Sequence, residues 1–285
     1  MSIKNTRLLA IILSSALVAS SLVSGAAGQS LSENDGPGRT WALVVGVSRY
    51  QKLPGGQQLQ FAERDAADFA QAISSTTGAE RLRVLLGQQA TSSNIKSSIG
   101  NWLARSAWEA DTVVLFFSGH ALIERDFGEA YLLASDSDPK NPYTTGVSLN
   151  ELSHALSRRV RARRVLVIAD AIRRDLFPPD SEAARSNSIF ESLDRLAASR
   201  PGLTAILASG PGEFSREGQR WGGRGVFTKH LLDGLSGTAD SDKNGIVTAS
   251  EAFEYTSAKV SEDTSNKQRP WRTETAIAQV VLTRR

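Results

Sequence analysis

The sequence predicts an α/β fold, a mainly parallel sheet covered by helices on both faces. Three observations carry this. Continuous apolar runs recur at residues 43–47, 112–117, 165–169 and 203–208. A strand buried on both faces reads as such a run rather than as an alternation. Amphipathic segments lie between the runs, which is the order of parallel strands and covering helices. Beyond its N-terminal lead the chain keeps ~245 residues, enough to bury the core of a single domain.

Residues 43–47 are the first strand, closed by a turn with Pro54-Gly55-Gly56. Residues 59–73 space Phe61, Asp65, Phe69 and Ile73 four apart, with Ala62 and Ala66 beside them. That pattern is one helix face with a carboxylate set into it. A short strand is expected at 82–86. Thr91 caps a helix whose inner face is Ile95, Ile99, Trp102 and Leu103. A buried strand at 112–117, a short return strand at 130–134, a helix at 149–156 and a buried strand at 165–169 follow. Residues 173–187 hold Pro178-Pro179 and many charges, so a mobile loop is expected there. Helices at 189–197, 226–235 and 250–260 flank a strand at 203–208, and residues 276–282 are expected to close the sheet edge. The chain has no internal repeat.

The N-terminus reads as a secretory signal over residues 1–27. Lys4 and Arg7 precede an uncharged apolar and Ser/Ala run, with small residues at Gly25-Ala26-Ala27 for cleavage. An uncleaved anchor is the alternative, and only that reading predicts membrane attachment. Residues 28–39 are a flexible lead. The chain is then secreted or periplasmic, and its zero cysteines suit an oxidising compartment. Removing the signal lowers the net charge from +3 to about +1, so the basic pI implies no nucleic-acid partner. The cluster Arg158-Arg159-Val160-Arg161-Ala162-Arg163-Arg164 reads as the solvated end of a helix, with phosphate or anionic lipid as the alternative.

Ligands of a parallel sheet gather at the carboxyl ends of its strands. Ser118-Gly119-His120 follows one such end and Asp170 another, so His120 and Asp170 are expected to converge. A histidine there can serve as a general base, or be a core or loop group with a satisfied ring. His154 and His230 sit on predicted helices and read as structural. Zero cysteines exclude thiolate chemistry, disulfides and thiolate metal sites. Ser209, after the strand end at Ala208, is the least implausible alternative nucleophile. Trp221 and Trp271 are groove walls or core lids.

The segment Asp240 to Glu251 is the strongest local motif. It offers oxygens at positions one, three, five, seven, nine and twelve: Asp240, Asp242, Asn244, the Ile246 carbonyl, Thr248 and Glu251. Gly245 at position six allows the sharp turn of an EF-hand-like loop for calcium. The alternative is a plain Asp/Asn/Gly turn with Glu251 in the first turn of a helix.

Five segments in order resemble the caspase-like peptidases, above all the bacterial orthocaspase and metacaspase branch. They are the strand Trp41 to Tyr50, Arg64-Asp65-Ala66, Ser118-Gly119-His120, Asp170-Ala171-Ile172, and Gly225-Val226-Phe227-Thr228 with the Asp-rich loop. The resemblance spans about Trp41 to Val281, and Ala121 stands where the family usually has Gly. It implies a caspase-like three-layer sandwich over residues 40–285. It implies that His120 is the ancestral general base, and that Ile172 occupies the place of the nucleophilic cysteine. It implies that Asp65, Ser118 and Asp170 form a pocket for a basic P1 side chain. Beside this stand plainer roles: Asp170 capping the next turn, and Asp65 pairing with Arg64 or Arg81. The reading that follows is a pseudoprotease binding a basic peptide or protein partner in the former substrate cleft. An endopeptidase with Arg/Lys preference and a non-Cys nucleophile, and a calcium-stabilised interaction domain, are the alternatives.

Overall fold

The computed structural model describes residues 38–124, 126–171, 188–273 and 280–285. The expected signal segment, residues 28–37 of the lead, Ile172 and the loop 173–187 lie outside the described residues.

A six-stranded sheet organises the fold. Its strands are β1 (Thr40–Gly46), β2 (Leu82–Leu86), β3 (Thr112–Ser118), β7 (Arg164–Asp170), β8 (Leu203–Leu207) and β12 (Trp271–Arg272). The order across the sheet is β12-β8-β7-β3-β1-β2. The long strands pair in parallel and β12 runs antiparallel to β8. Successive side chains of a strand point to opposite faces. Leu43, Val45, Val113, Leu115, Val165 and Val167 therefore join one core, and Ala42, Val44, Val114, Phe116, Leu166 and Ile168 the other. β3 is buried along its whole length, as its unbroken apolar run requires.

Helices cover both faces and make three layers. On one side lie α2 (Ser92–Ser97), which continues through a π-helical segment Ser98–Leu103, α3 (Leu149–Arg158) and α4 (Ser188–Ser199). On the other lie α1 (Ala62–Thr77), α5 (Val226–Asp233) and α6 (Ala249–Asp263). Thr91 caps α2, accepting from the Asn94 N–H at 3.2 Å. Phe69 of α1 stacks on Phe116 of β3 with centroids 4.3 Å apart. α1 also presses closely on β1 at Gly46. A Cβ there would stand 2.6 Å from the Ala66 Cβ, so only glycine lets the helix this near.

Among the described residues three small sheets extend the frame. β4 (Ala121–Ile123), β5 (Ala130–Leu132) and β6 (Val147–Ser148) form an antiparallel triplet just past His120. β11 (Ile246–Thr248) pairs antiparallel with β13 (Val281–Arg284). The expected edge strand at 276–282 is thus corrected. Residues 274–279 lie outside the described residues, and β13 partners β11 while Trp271–Arg272 holds the edge beside β8. A ribbon β9 (Glu217–Gly218) and β10 (Arg224–Gly225) completes the strands.

Candidate functional site

Register brings one row of residues together at the carboxyl ends. Gly46 pairs with Ser118, and Ser118 pairs with Asp170. Asp65 reaches this row from the apolar face of α1, and Gly225, the N-cap residue of α5, closes over it. Asp65, Ser118 and Asp170 are each 0% exposed. Asp65 accepts the Gly225 N–H at 3.1 Å and the Ser118 hydroxyl at 3.5 Å. Asp170 accepts from the Thr228 hydroxyl at 3.0 Å and, in a short contact, from the Ser215 hydroxyl. A Cβ on Gly225 would overlap Asp170 Oδ2 and lie 3.1 Å from Asp65 Oδ2, so both carboxylates face one glycine. The three residues that the resemblance assigns to one pocket are therefore in one place. Arg64 pairs with Asp68 at 3.6 Å, and Arg81 with Glu80.

His120 sits beside this row on the bend between β3 and β4. Its ring is fully buried, and Nε2 lies 2.8 Å from the Gln57 carbonyl oxygen. A carbonyl only accepts, so Nε2 carries the proton and Nδ1 is the basic nitrogen of the neutral ring. The His120 backbone N–H donates to the Tyr50 hydroxyl at 2.7 Å, and the two rings lie 5.1 Å apart. Gln58 braces the loop that presents the carbonyl. It accepts from the Tyr50 N–H at 2.7 Å and donates to the Tyr50 and Leu53 carbonyls at 3.0 and 2.7 Å. Sequence reasoning missed Gln57, because its contribution is a backbone oxygen.

Ser209 is fully buried at the end of β8, its hydroxyl 3.5 Å from the Glu213 carbonyl. β7 lies between β3 and β8. The strand ends carrying His120 and Ser209 are thus two spacings apart, roughly 9–10 Å, and each side chain is bonded elsewhere, His120 to the Gln57 carbonyl and Ser209 to the Glu213 carbonyl.

The segment from Ser215 to Gly225 closes the acid pair on one side. It is held by the Arg224–Asp68 ion pair and by Trp221, whose Nε1 donates to Asp263 at 2.8 Å. His230 Nε2 meets the same Asp263 oxygen at 3.1 Å. Burial pushes the Asp263 carboxyl up, but the His230 and Trp221 contacts outweigh it and hold the carboxyl low. Trp221 is buried, and Trp271 packs edge-on against Phe190 at 5.1 Å, so both act as core lids. His230 is a helix-packing residue, and His154 is exposed on α3.

At 240–251 the structure gathers ligand atoms of Asp240, Asp242 and Glu251 within 4.8 Å of one another. Asp240 accepts from the Asn244 and Gly245 N–H groups at 3.1 and 2.9 Å. Asn244 accepts from the Ile246 N–H at 2.7 Å, with Lys243 and Gly245 at positive φ. Thr248 and Glu251 form a capping box at the start of α6. The Thr248 hydroxyl is spent on Glu251 at 2.8 Å, so it does not join the three acids. The Thr248 N–H, with help from the Thr248 and Ser241 hydroxyls, outweighs burial and holds the Glu251 carboxyl at about 2.

A family model described as a caspase domain matches residues 39–281. No curated protein matches the chain. Among matching solved structures is a crystal structure of a structural-genomics target from Geobacter sulfurreducens. It is 16% identical with a TM-score of 0.58, over 86% of this chain and 97% of that one. At that identity the likeness speaks for the fold alone.

Proposed function

This chain belongs to the caspase-domain family, and from that premise we propose that it is an exported pseudoprotease that binds basic peptide segments in the former substrate cleft. One observation carries the reading. Two carboxylates and a serine hydroxyl are fully buried at the carboxyl ends of the strands, beside a histidine with an oriented ring. Burying carboxylates is costly, and a site that keeps them is suited to a cationic side chain that meets them with charge-assisted hydrogen bonds. Ser215 and Thr228 satisfy Asp170 through hydroxyls, which can rotate to share it with an entering guanidinium. Lys4, Arg7 and the apolar run behind them support export.

The absence of any cysteine supports the pseudoprotease part. Loss of the nucleophile from a catalytic triad costs on the order of a million-fold in rate. Purified chain incubated with Arg- and Lys-terminated fluorogenic peptides, with and without calcium, is expected to stay at background. Turnover that disappears in His120→Ala would overturn the reading.

The loop 240–251 fits calcium by its donor chemistry, since Asp240, Asp242 and Glu251 converge as hard oxygens. Asn244 and the Ile246 carbonyl are the further donors of that loop. Bound there, calcium would tie α6 to the β11/β13 ribbon. At 100-fold excess over Kd it raises stability by about 2.7 kcal/mol. A calcium-dependent melting shift of roughly 5–10 °C is expected for a domain of this size, lost in Asp240→Ala. No shift in the parent chain would remove calcium from the account.

A further inference from the structure

The residues between α3 and β7 are, as expected, the solvated end of a helix before a strand, and they carry a pattern of their own. Helix α3 stops at Arg158, and the chain then runs to Arg164 with Val160 4% and Ala162 0% exposed. Arg159, Arg161 and Arg163 between and beside them are exposed, as is Arg158. That is the alternation of an extended segment, apolar side in and arginine side out. Arg200 fixes its rotation by donating to the Val160 carbonyl at 3.0 Å and to the Ala162 carbonyl. Arg161 lies over the ring of Trp108, 4.1 Å from its centroid. Trp108 is 57% exposed, which is rare for an indole in this molecule. Arg159 reaches the Gly100 carbonyl at 3.5 Å, which joins the row to the end of α2 and its exposed Arg105.

Acids at this end are already engaged. Glu109 pairs with Arg163 at 2.9 Å. Asp111 turns inward onto the Arg39 and Trp108 N–H groups and the Trp41 indole. Among the described residues no salt bridge joins Arg105, Arg158, Arg159 or Arg161 to an acid. Like charges set side by side repel, so such a row contributes little to folding and is suited to an external anion.

We infer that this end of the molecule is a docking surface for an anionic lipid bilayer. Guanidinium forks match phosphate oxygens, and an exposed indole settles at headgroup depth. The charge is local rather than spread over the chain, and one indole is no stacking platform, which favours a flat phosphate surface over nucleic acid. The row lies at the amino ends of β3 and β7, whereas Ser118 and Asp170 lie at the carboxyl ends. Seven-residue strands separate the two ends by about 20 Å. A docked molecule would therefore hold its cleft away from the bilayer.

The test is partition of the full chain onto vesicles of phosphatidylcholine with and without roughly 30 mol% phosphatidylglycerol, an anionic lipid. Uptake through the apolar segment 8–27 is common to all variants, so the readout is the gain caused by the anionic lipid. The parent is expected to show a gain that fades as salt is raised. Each arginine removed should reduce it about fivefold, and Arg158→Gln, Arg159→Gln, Arg161→Gln together by on the order of 100-fold. The matching Arg→Lys triple keeps most of the gain, and it decides the matter with the salt series if the Gln variant fails to fold. No gain in the parent, or a gain unchanged in the Gln triple, overturns the proposal. Binding to soluble polyanions such as DNA without any gain on vesicles overturns it in favour of a nucleic-acid surface.

Discussion

A buried carboxylate is tolerated only where donors meet its oxygens, and Asp170 has two hydroxyls aimed at it while the Gly225 N–H is aimed at Asp65. His120 is constrained in a complementary way, with Nε2 held by the Gln57 carbonyl so that Nδ1 is the basic nitrogen. On the proposed reading these groups are the acid–base half of a hydrolase that lacks its thiol, since the chain has no cysteine. Restoring a thiol by Ile172→Cys is therefore expected to create cleavage of Arg- and Lys-terminated peptides, on the order of a thousand-fold or more above the parent chain. The activity should vanish on adding His120→Ala; an inert revertant would show that the loss extends beyond one residue. Much of this was legible in the sequence. Asp65 stood out because a carboxylate interrupts an apolar helical face at four-residue spacing, and Ser118 and Asp170 because each ends a buried run. Gln57 was not legible, since a backbone carbonyl leaves no mark on residue type. Nor was the role of Gly225, a residue named only at the head of a resembling segment, since its lack of a Cβ matters only once α5 is brought against both acids.

At the level of elements, long buried strands and amphipathic helices were read correctly, because their periodicity is set by burial. Of the short pieces, β2 at 82–86 and the return strand β5 within 130–134 were read as well, and β4, β6, β9, β10 and β11 were not. The triplet β4-β5-β6 uses strands of two or three residues that carry no period of their own. β13 was assigned to the main sheet edge, yet it pairs with β11, a choice made by tertiary neighbours rather than by propensity. The loop 240–251 was legible as a motif, and the structure adds how its last residue is used. Glu251 closes the capping box of α6 and is held at about 2, against an ordinary 4.5. A carboxyl lowered on folding contributes stability that is complete above its unfolded value and is lost as pH falls toward the folded one. Stability should thus decline from about pH 4.5 down to about 2 through this group. Glu251→Gln, which keeps a capping-box residue, should flatten that part of the curve in urea titrations. An unchanged acid slope would show that the box contributes no pH dependence.

On the scale of the whole molecule, the sheet has two chemically distinct ends. The carboxyl ends of β3 and β7 carry buried acids and an oriented histidine, and the amino ends carry exposed arginines around Trp108. The fold class followed from the alternation of runs and helices, and the family model over residues 39–281 agrees with it. The arginine row was legible as the solvated end of a helix before a strand, with α3 ending at Arg158 and β7 starting at Arg164; its alternation with Val160 and Ala162 is too short to stand out. The function proposed for this cleft requires that the acid pair select a cationic side chain. It is tested most directly by equilibrium binding of fluorescent peptides ending in arginine or in citrulline, its neutral isostere, to the parent chain and to Asp170→Asn. The prediction is that arginine binds about 10- to 100-fold more tightly than citrulline to the parent, as charge-assisted hydrogen bonds allow, and that Asp170→Asn abolishes most of this preference. Equal binding of the two peptides, or a preference unchanged in Asp170→Asn, would contradict it.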